Sequence, residues 1–416
     1  MNPQSSFNDL ILTEKKHIYL IFFLPISLIL GSTVANINII LIIYFFLVDC
    51  KKENNFFFLK NNNFYFLVSF NIYLIINSLF TGIDYDSLLR ATGFFRFILL
   101  AFAISYYLSI DNRKYEKIIL KFWTIIFLTI SIDLVFEYIF GYNLAGFNSE
   151  YHTRLASFTG DELKIGNYYF GFILLISYFI KNKNQKLFYI ILISFIVISY
   201  LIGERSNFIK IVFICSIFFF IENKVIFYKK FFYSCILILF AAIIIYSNST
   251  LKENFRIKFI DQTKYFAKSF MKTPVKGDSS FYLHSCHYYT AIEIFKNRPI
   301  IGAGIKKFRH ESHNKGETKN ENFICGSTHP HQIHFELLSE LGIIGYLSLM
   351  IYFIHLIYKG IKIFNIKKDY YAFAGTLFIL ATILPILPSG SFFTTYSATF
   401  FWINYSFTLK KFLNYK

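Results

Sequence analysis

Charge is what this chain has least of. Only 16% of its 416 residues are Asp, Glu, Lys or Arg, against 55% that are hydrophobic, whereas an ordinary soluble domain carries about 25% charge. That scarcity excludes an ordinary soluble domain and points to lipid as the surrounding solvent. Acidic residues are the scarcer kind, 25 against 42 basic ones, for a formal net charge of +17. No internal repeat is evident. The N-terminal apolar run also lacks a clear small-residue cleavage site, so it reads as a retained first helix and not as a removed signal peptide.

What is present in quantity is apolar sequence. Runs of about 15 to 22 residues recur along the chain, and a helix needs roughly 20 to cross the hydrocarbon core. They lie near 17–34, 34–50, 63–80, 88–108, 119–140, 166–181, 187–203, 206–221, 231–247, 336–358, 370–388 and 394–409. The expected fold is an all-α integral membrane protein with about 12 transmembrane helices. The first boundary, around Gly31 to Ala35, is soft, so the range is ten to twelve.

Orientation follows from basic residues in the short loops. One set of connections holds Lys15, Lys16, Lys51, Lys52, Lys60, Arg113, Lys114 and their counterparts down to Lys410 and Lys411, while "TGIDYDS" and "PSGSFFTTY" hold almost none. The rule puts both termini in the cytoplasm. It divides the chain into residues 1–247 with helices 1 to 9, a long external loop with short helices at 248–335, and residues 336–416 with helices 10 to 12 and a cytoplasmic tail. Most lysines are then orientation signals, and nucleic acid is not the partner. The external loop is basic too, with Lys252, Arg256, Lys264 and Arg309 among others. The rule tolerates that without explaining it, and an anionic ligand on the outer face would explain it.

Of five cysteines, Cys50, Cys215 and Cys235 fall in or beside the spans, and Cys286 and Cys325 share the external loop. In an oxidising compartment the last two are expected to form a disulfide, the alternative being two buried thiols.

Ionisable residues inside spans are costly and functional by default. The fourth span, "LLRATGFFRFILL", carries Arg90 and Arg96; the fifth, "SIDLVFEYIFG", carries Asp133 and Glu137. Arg90 and Glu137 lie about one turn from the outer surface, Arg96 and Asp133 about two. Matching depths suggest two buried ion pairs; the alternative is an arginine that faces a cavity and holds a lipid-borne phosphate. Arg205 in "GERSN" and Arg154 in "YHTRLASFTGDELKIGNYYF" lie in short outer turns, against the positive-inside bias. Their planar forks suit a diphosphate, and a solvated surface charge is the other reading of each.

The segment "STHPHQIHFELLSELGIIG", Ser327 to Gly345, crowds three histidines before an amphipathic run. With Thr328 as N-cap and Pro330 in the first turn, a helix is expected from near His329, with His331 and His334 on one face. A helix N-terminus keeps an imidazole neutral and attracts phosphate, so His331 is a candidate base beside an anion site. Gly342 and Gly345 would admit another helix closely. Two alternatives stay open: a metal site drawn from His310, His313, His329, His331, His334 and Cys325, whose spacing fits no standard zinc signature, and histidines that merely cap and pack the helix.

These residues resemble those of the bacterial O-antigen ligases and the related O-antigen polymerases. The ligase pattern is a histidine followed by Asn, Ser or Gln, nine residues, Gly, two residues, and Gly, Thr or Tyr; His331, Gln332, Gly342 and Gly345 meet it. "FKNRPIIGAGIKKFR" resembles the family's P-x-x-G-x-G turn at Pro299, Gly302 and Gly304. The "GERS" and "RLASFTGDE" turns resemble its arginine-bearing loops, at Arg205 and Arg154, and the ending "LPILPSGSFFTTY" is similar too. The chain departs from the pattern at Ile209, where some ligases have leucine, and at His284 in "LHSCHYY", where many members have arginine. There the resemblance implies that the second phosphate ligand is His284, His287 or Arg256, or that the chain has none.

The resemblance implies a membrane glycosyltransferase of lipopolysaccharide biosynthesis, working on the periplasmic side of the inner membrane. It would move a glycan from undecaprenyl diphosphate to the lipid A core, with inversion. Arginines hold the diphosphate and a histidine takes the acceptor's proton, with no cofactor, metal or nucleotide. A polymerase would use a second lipid-linked glycan as acceptor. A non-catalytic transporter or flippase of lipid-linked sugars is the alternative from another class, although transporters place their sites at the midplane of paired repeats.

Overall fold

The computed structural model describes residues 16–82, 84–110, 114–148, 154–160, 164–182, 185–222, 246, 252–253, 256–269, 283–314, 326–410 and 412. The described residues are helical and contain no strand. The helices are α1 (Tyr19–Ile29), α2 (Ser32–Lys52), α3 (Asn62–Phe80), α4 (Tyr85–Gly93), α5 (Phe95–Ser109), α6 (Lys114–Phe140), α7 (Ile165–Lys181), α8 (Gln185–Ile202), α9 (Arg205–Glu222), α10 (Gln262–Ser269), α11 (Leu283–Asn297), α12 (Phe308–Asn314), α13 (Ile333–Lys367), α14 (Tyr370–Thr382) and α15 (Thr395–Leu409). Every apolar run named above falls on one helix or two successive ones except 231–247, of which all but residue 246 lies outside the described residues.

Among the described residues, five segments are long and apolar enough to cross a membrane: Ser32–Lys52, Asn62–Phe80, Tyr85–Ser109, Lys114–Phe140 and Ile333–Lys367. The soft first boundary is a real break. Gly31 adopts φ +113° and turns the chain between α1 and α2, which then pack on each other; only glycine enters that region without strain.

Helices that are apolar all round belong in the middle. Helix α15 is buried along its whole length and packs on α14, α5, α2 and α7. Helices α5 and α7 are buried almost as completely. Close approach rests on missing side chains: a Cβ at Gly171 would stand 2.5 Å from the Phe400 ring, and one at Gly375 would stand 2.3 Å from the Asn404 carbonyl oxygen. Asn404 also donates to the Gly171 carbonyl at 2.8 Å, the small-residue packing and polar bonding that join helices in lipid. The outer helices turn apolar stripes outward. On α13 these are Ile351, Ile354 and Tyr358, 60 to 63% exposed, at the spacing of one helix face. Ile132 and Ile139 do the same on α6. Exposed apolar surface of this kind marks a contact with lipid or protein, and together with the five long apolar helices it makes this a membrane protein.

Candidate active site

Helix α13 starts at Ile333, four residues later than the histidine pattern suggests. Its N-cap is Gln332, whose side-chain oxygen accepts from the backbone N–H groups of His334 at 2.7 Å and Phe335 at 3.2 Å. The residues that the histidine motif admits at this place, Asn, Ser and Gln, all carry such an acceptor, and an N-cap needs one. His331 is therefore not in the first turn. It precedes the cap in a left-handed conformation, φ +59°, which costs a non-glycine residue roughly 1 kcal/mol or more. The Ser389 N–H holds it there by donating to its carbonyl at 2.7 Å. This turn separates the two histidines expected on one face: His334 bonds the Ile383 carbonyl at 2.8 Å and the Tyr346 hydroxyl at 3.2 Å.

The His331 ring instead enters a cluster of imidazoles. Its centroid lies 4.0 Å from that of His329, 5.1 Å from His284 and 5.1 Å from His287, the last nearly parallel. Its Nε2 is 3.2 Å from the Ser327 hydroxyl. His284 and His287 stand one turn apart on α11, which packs against α13. His287 is buried, and its Nδ1 has no hydrogen-bond partner among the described residues.

Burial makes protonation costly throughout the cluster. It pushes His284 down to about 3, helped by His331, His287 and the guanidinium groups of Arg205 and Arg154. Burial and His331 hold His287 at about 4, and burial with the neighbouring imidazoles holds His329 at about 3. Burial alone lowers His331. At neutral pH the rings are uncharged and can accept protons.

Arg205 and Arg154 thus reach the same place from two directions. Arg205 opens α9 directly after the turn at Gly203. The Arg154 segment is pinned beside that turn by the Leu155 N–H, which donates to the Ile202 carbonyl at 3.2 Å. Glu204, between them, accepts from the Gly166 N–H at 2.9 Å and the Asn207 amide at 2.6 Å, and burial raises its pKa.

The four intramembrane charges do not pair as their depths suggest. Glu137 accepts from the Ala156 N–H at 3.0 Å and the Ser157 N–H at 2.7 Å; Asp133 accepts from the Leu144 N–H at 2.7 Å and the Ser157 hydroxyl. Both carboxylates anchor the loop that carries Arg154. Arg90 donates to the Phe393 carbonyl at 2.7 Å, and the carboxylates that act on it are those of Glu340 and Glu336. Arg96 bonds the Gly93 carbonyl and the Thr395 hydroxyl. Depth fixes one coordinate of a side chain, and the direction it faces around its helix decides the partner.

The supports that the sequence did not disclose are Glu336, Glu340 and the segment 383–392. Glu336 accepts from the Ser391 hydroxyl and from the Phe392 N–H at 2.8 Å. The same segment takes the Gln332 amide at Leu384 and the Tyr288 hydroxyl at Ile386, and gives Ser389 to His331. So "LPILPSGSFF" is the cradle of His331. Glu340 accepts from the Lys306 N–H at 2.8 Å and fixes the turn after Gly304.

The glycines of the two motifs explain each other. Gly342 has φ +63° and ψ −169° and breaks α13. The turn 299–304 fills the break: Ala303 and Gly304 donate to the carbonyls of Ser339 and Glu340 at 2.8 Å, and Ile343 donates to the Pro299 carbonyl at 2.9 Å. A Cβ on Gly302 or Gly342 would stand 2.4 Å from backbone atoms of the other strand of this lock. What Gly342 admits is a turn, not a helix; Gly345 meets Tyr73 of α3.

Other expectations fall elsewhere. Arg256 pairs with Glu253 at 2.6 Å and Asp261 at 3.7 Å, both at the surface. Cys286 is buried and disulfide-bonded, while Cys325 lies outside the described residues, as do Cys235, Asp161 and Glu162. Among the described residues, no group of three or more His, Cys, Asp or Glu is arranged to hold a metal ion.

The site thus sets a half-buried, neutral imidazole among other imidazoles, with two arginines acting on one of them. Residues 188–350 match the family model of the O-antigen ligases, a stretch that includes Arg205, His284, His287, His331 and Gly342. The match supports a glycosyltransferase of ligase or polymerase type, with lipid-linked glycans as substrates. No curated protein matches the chain.

Proposed function

We propose that the protein is an O-antigen ligase: it transfers a glycan from undecaprenyl diphosphate to a hydroxyl of the lipid A core, at the periplasmic face of the inner membrane. The observation that carries this reading is the gathering of His284 and His287 against His331, with Arg205 and Arg154 near enough to act on His284. The neutral His331 imidazole takes the proton of the acceptor hydroxyl. The oxygen attacks the anomeric carbon from the face opposite the diphosphate, the carbon–oxygen bond to the phosphate breaks, and configuration inverts. Arg205 and Arg154 hold the leaving diphosphate with forked hydrogen bonds, joined by His284 and His287. About 12 crossings with residues 248–335 outside would set this cluster at the outer surface, where a lipid-borne donor presents its headgroup.

The test is reconstitution with a lipid-linked glycan and each acceptor in turn. Transfer to lipid A core is expected; transfer only to a second lipid-linked glycan would make the protein a polymerase, and lipid movement without transfer would make it a flippase. His331→Ala should lose about 100- to 10,000-fold in turnover, the usual contribution of an acid–base group, while donor binding stays. Wild-type turnover by that variant would remove His331 from the chemistry.

A further inference from the structure

We infer that His284 and His287 become charged when the donor enters, so that diphosphate binding takes up protons and tightens as the pH falls. This rests on the diphosphate reading above. The geometry supplies the reason. His284 and His287 have ring centroids 6.1 Å apart, and each lies 5.1 Å from His331. Arg205 and Arg154 both act on His284. A set of permanent cations this close would repel itself in the empty site. Imidazoles avoid that by staying neutral until an anion arrives, and then two negative charges reverse the balance.

The surroundings leave the protons few other destinations. From α11 the site sees His284, His287 and Tyr288, whose hydroxyl donates to the Ile386 carbonyl. From the segment before α13 it sees His329 and His331, and from the turns before α9 and α7 it sees Arg205 and Arg154. Glu204 is turned to Gly166 and Asn207, and His334 and Glu336 are turned to the segment 383–392. On α12, His313 bonds the Arg309 carbonyl. The segment 383–392 carries no ionisable side chain. A charged His287 stacked on His331 also opposes protonation of His331, which keeps the base neutral while the donor is bound.

The sign is fixed by linkage. In the empty site both pKa values lie below the ordinary histidine value, at about 3 and about 4; a bound dianion raises them. Between the empty and the bound values the complex holds more protons than its parts, so affinity falls as pH rises. The probe is farnesyl diphospho-N-acetylglucosamine, a diphosphate diester whose own charge does not change near neutral pH. Titration calorimetry of the full-length protein in buffers of different ionisation heat should show uptake approaching two protons as the pH is lowered towards about 6, with the dissociation constant rising by up to about a hundredfold per pH unit. His284→Arg carries its charge permanently, so it should bind the probe with a flatter pH dependence and less uptake; its thermal transition checks that it folds. Binding without proton uptake overturns this inference and leaves the proposed function standing. Uptake undiminished in both His284→Arg and His287→Arg assigns the proton to another group and also overturns it. Failure of the wild type to bind the probe at all takes down both readings.

Discussion

His331 is held less by its ring than by its backbone. The Ser389 bond keeps it left-handed, and Gln332 starts the helix immediately after it. Gln332 is therefore a positioning residue with a measurable share in the rate. Gln332→Ala removes two hydrogen bonds to α13 and should cost about 1 kcal/mol of stability, as cap deletions do; turnover should fall while the Michaelis constant for the donor holds. Gln332→Asn keeps an acceptor and should recover part of both. Equal turnover in all three proteins, measured with thermal unfolding, would show that the cap does not act on His331. At this scale the sequence was informative about chemistry and poor about conformation. His331, Arg205 and Arg154 are singled out by residue type and place, His284 and His287 by the resemblance; in the structure His284 and His287 lie against His331, and both arginines act on His284. Nothing local announces a left-handed histidine, because its strain is offset by a bond from a residue 58 positions away. Gln332 was overlooked because Thr328 is the more usual cap, and Glu336 and Glu340 because a helix-period pattern treats them as polar interruptions.

Among elements, the lock between the turn 299–304 and the break in α13 sets where the site's walls stand. The turn follows α11, which carries His284 and His287, and the break lies in α13, which follows His331. Their mutual backbone bonds fix one helix against the other. Gly342→Ala would put a Cβ 2.4 Å from the Ile300 carbonyl oxygen, on a backbone conformation that is almost confined to glycine and costs others about 1 to 3 kcal/mol. The variant should unfold at a lower temperature and lose transfer out of proportion to that loss, because the imidazoles shift relative to His331. Ser348→Ala, on the far side of the same break and exposed, is the control and should change neither. A Gly342→Ala protein with wild-type melting and turnover would mean that the lock does not position the site. The glycine spacing was legible as close packing, but whether a helix or a turn makes the approach depends on φ, which residue identity alone does not determine. The intramembrane charges teach the same lesson: Asp133 and Glu137 stand out by depth, and their partners, the loop groups at Leu144, Ala156 and Ser157, are not legible from it.

For the whole molecule, the basic loops and the apolar runs together give an expectation of which side of the membrane holds His331. Beyond its break, α13 runs from Ile343 to Lys367, 25 residues or about 38 Å at 1.5 Å each, enough to cross a core about 30 Å thick. His331 and Lys362 therefore belong on opposite sides. The positive-inside expectation would keep Lys362 in the cytoplasm and would put the exposed Lys264 on α10 on the side of His331. Lys264→Cys should react with a membrane-impermeant maleimide in intact spheroplasts, and Lys362→Cys should react only after the membrane is opened. The unsubstituted protein gives the background from its own thiols, of which Cys50 and Cys215 are buried. The reverse labelling pattern would put His331 in the cytoplasm, where a donor presented on the outer leaflet cannot reach it. Labelling of both positions from outside would mean that α13 does not cross, and the fold would then have to bury its stripe of Ile351, Ile354 and Tyr358 against another protein instead of lipid.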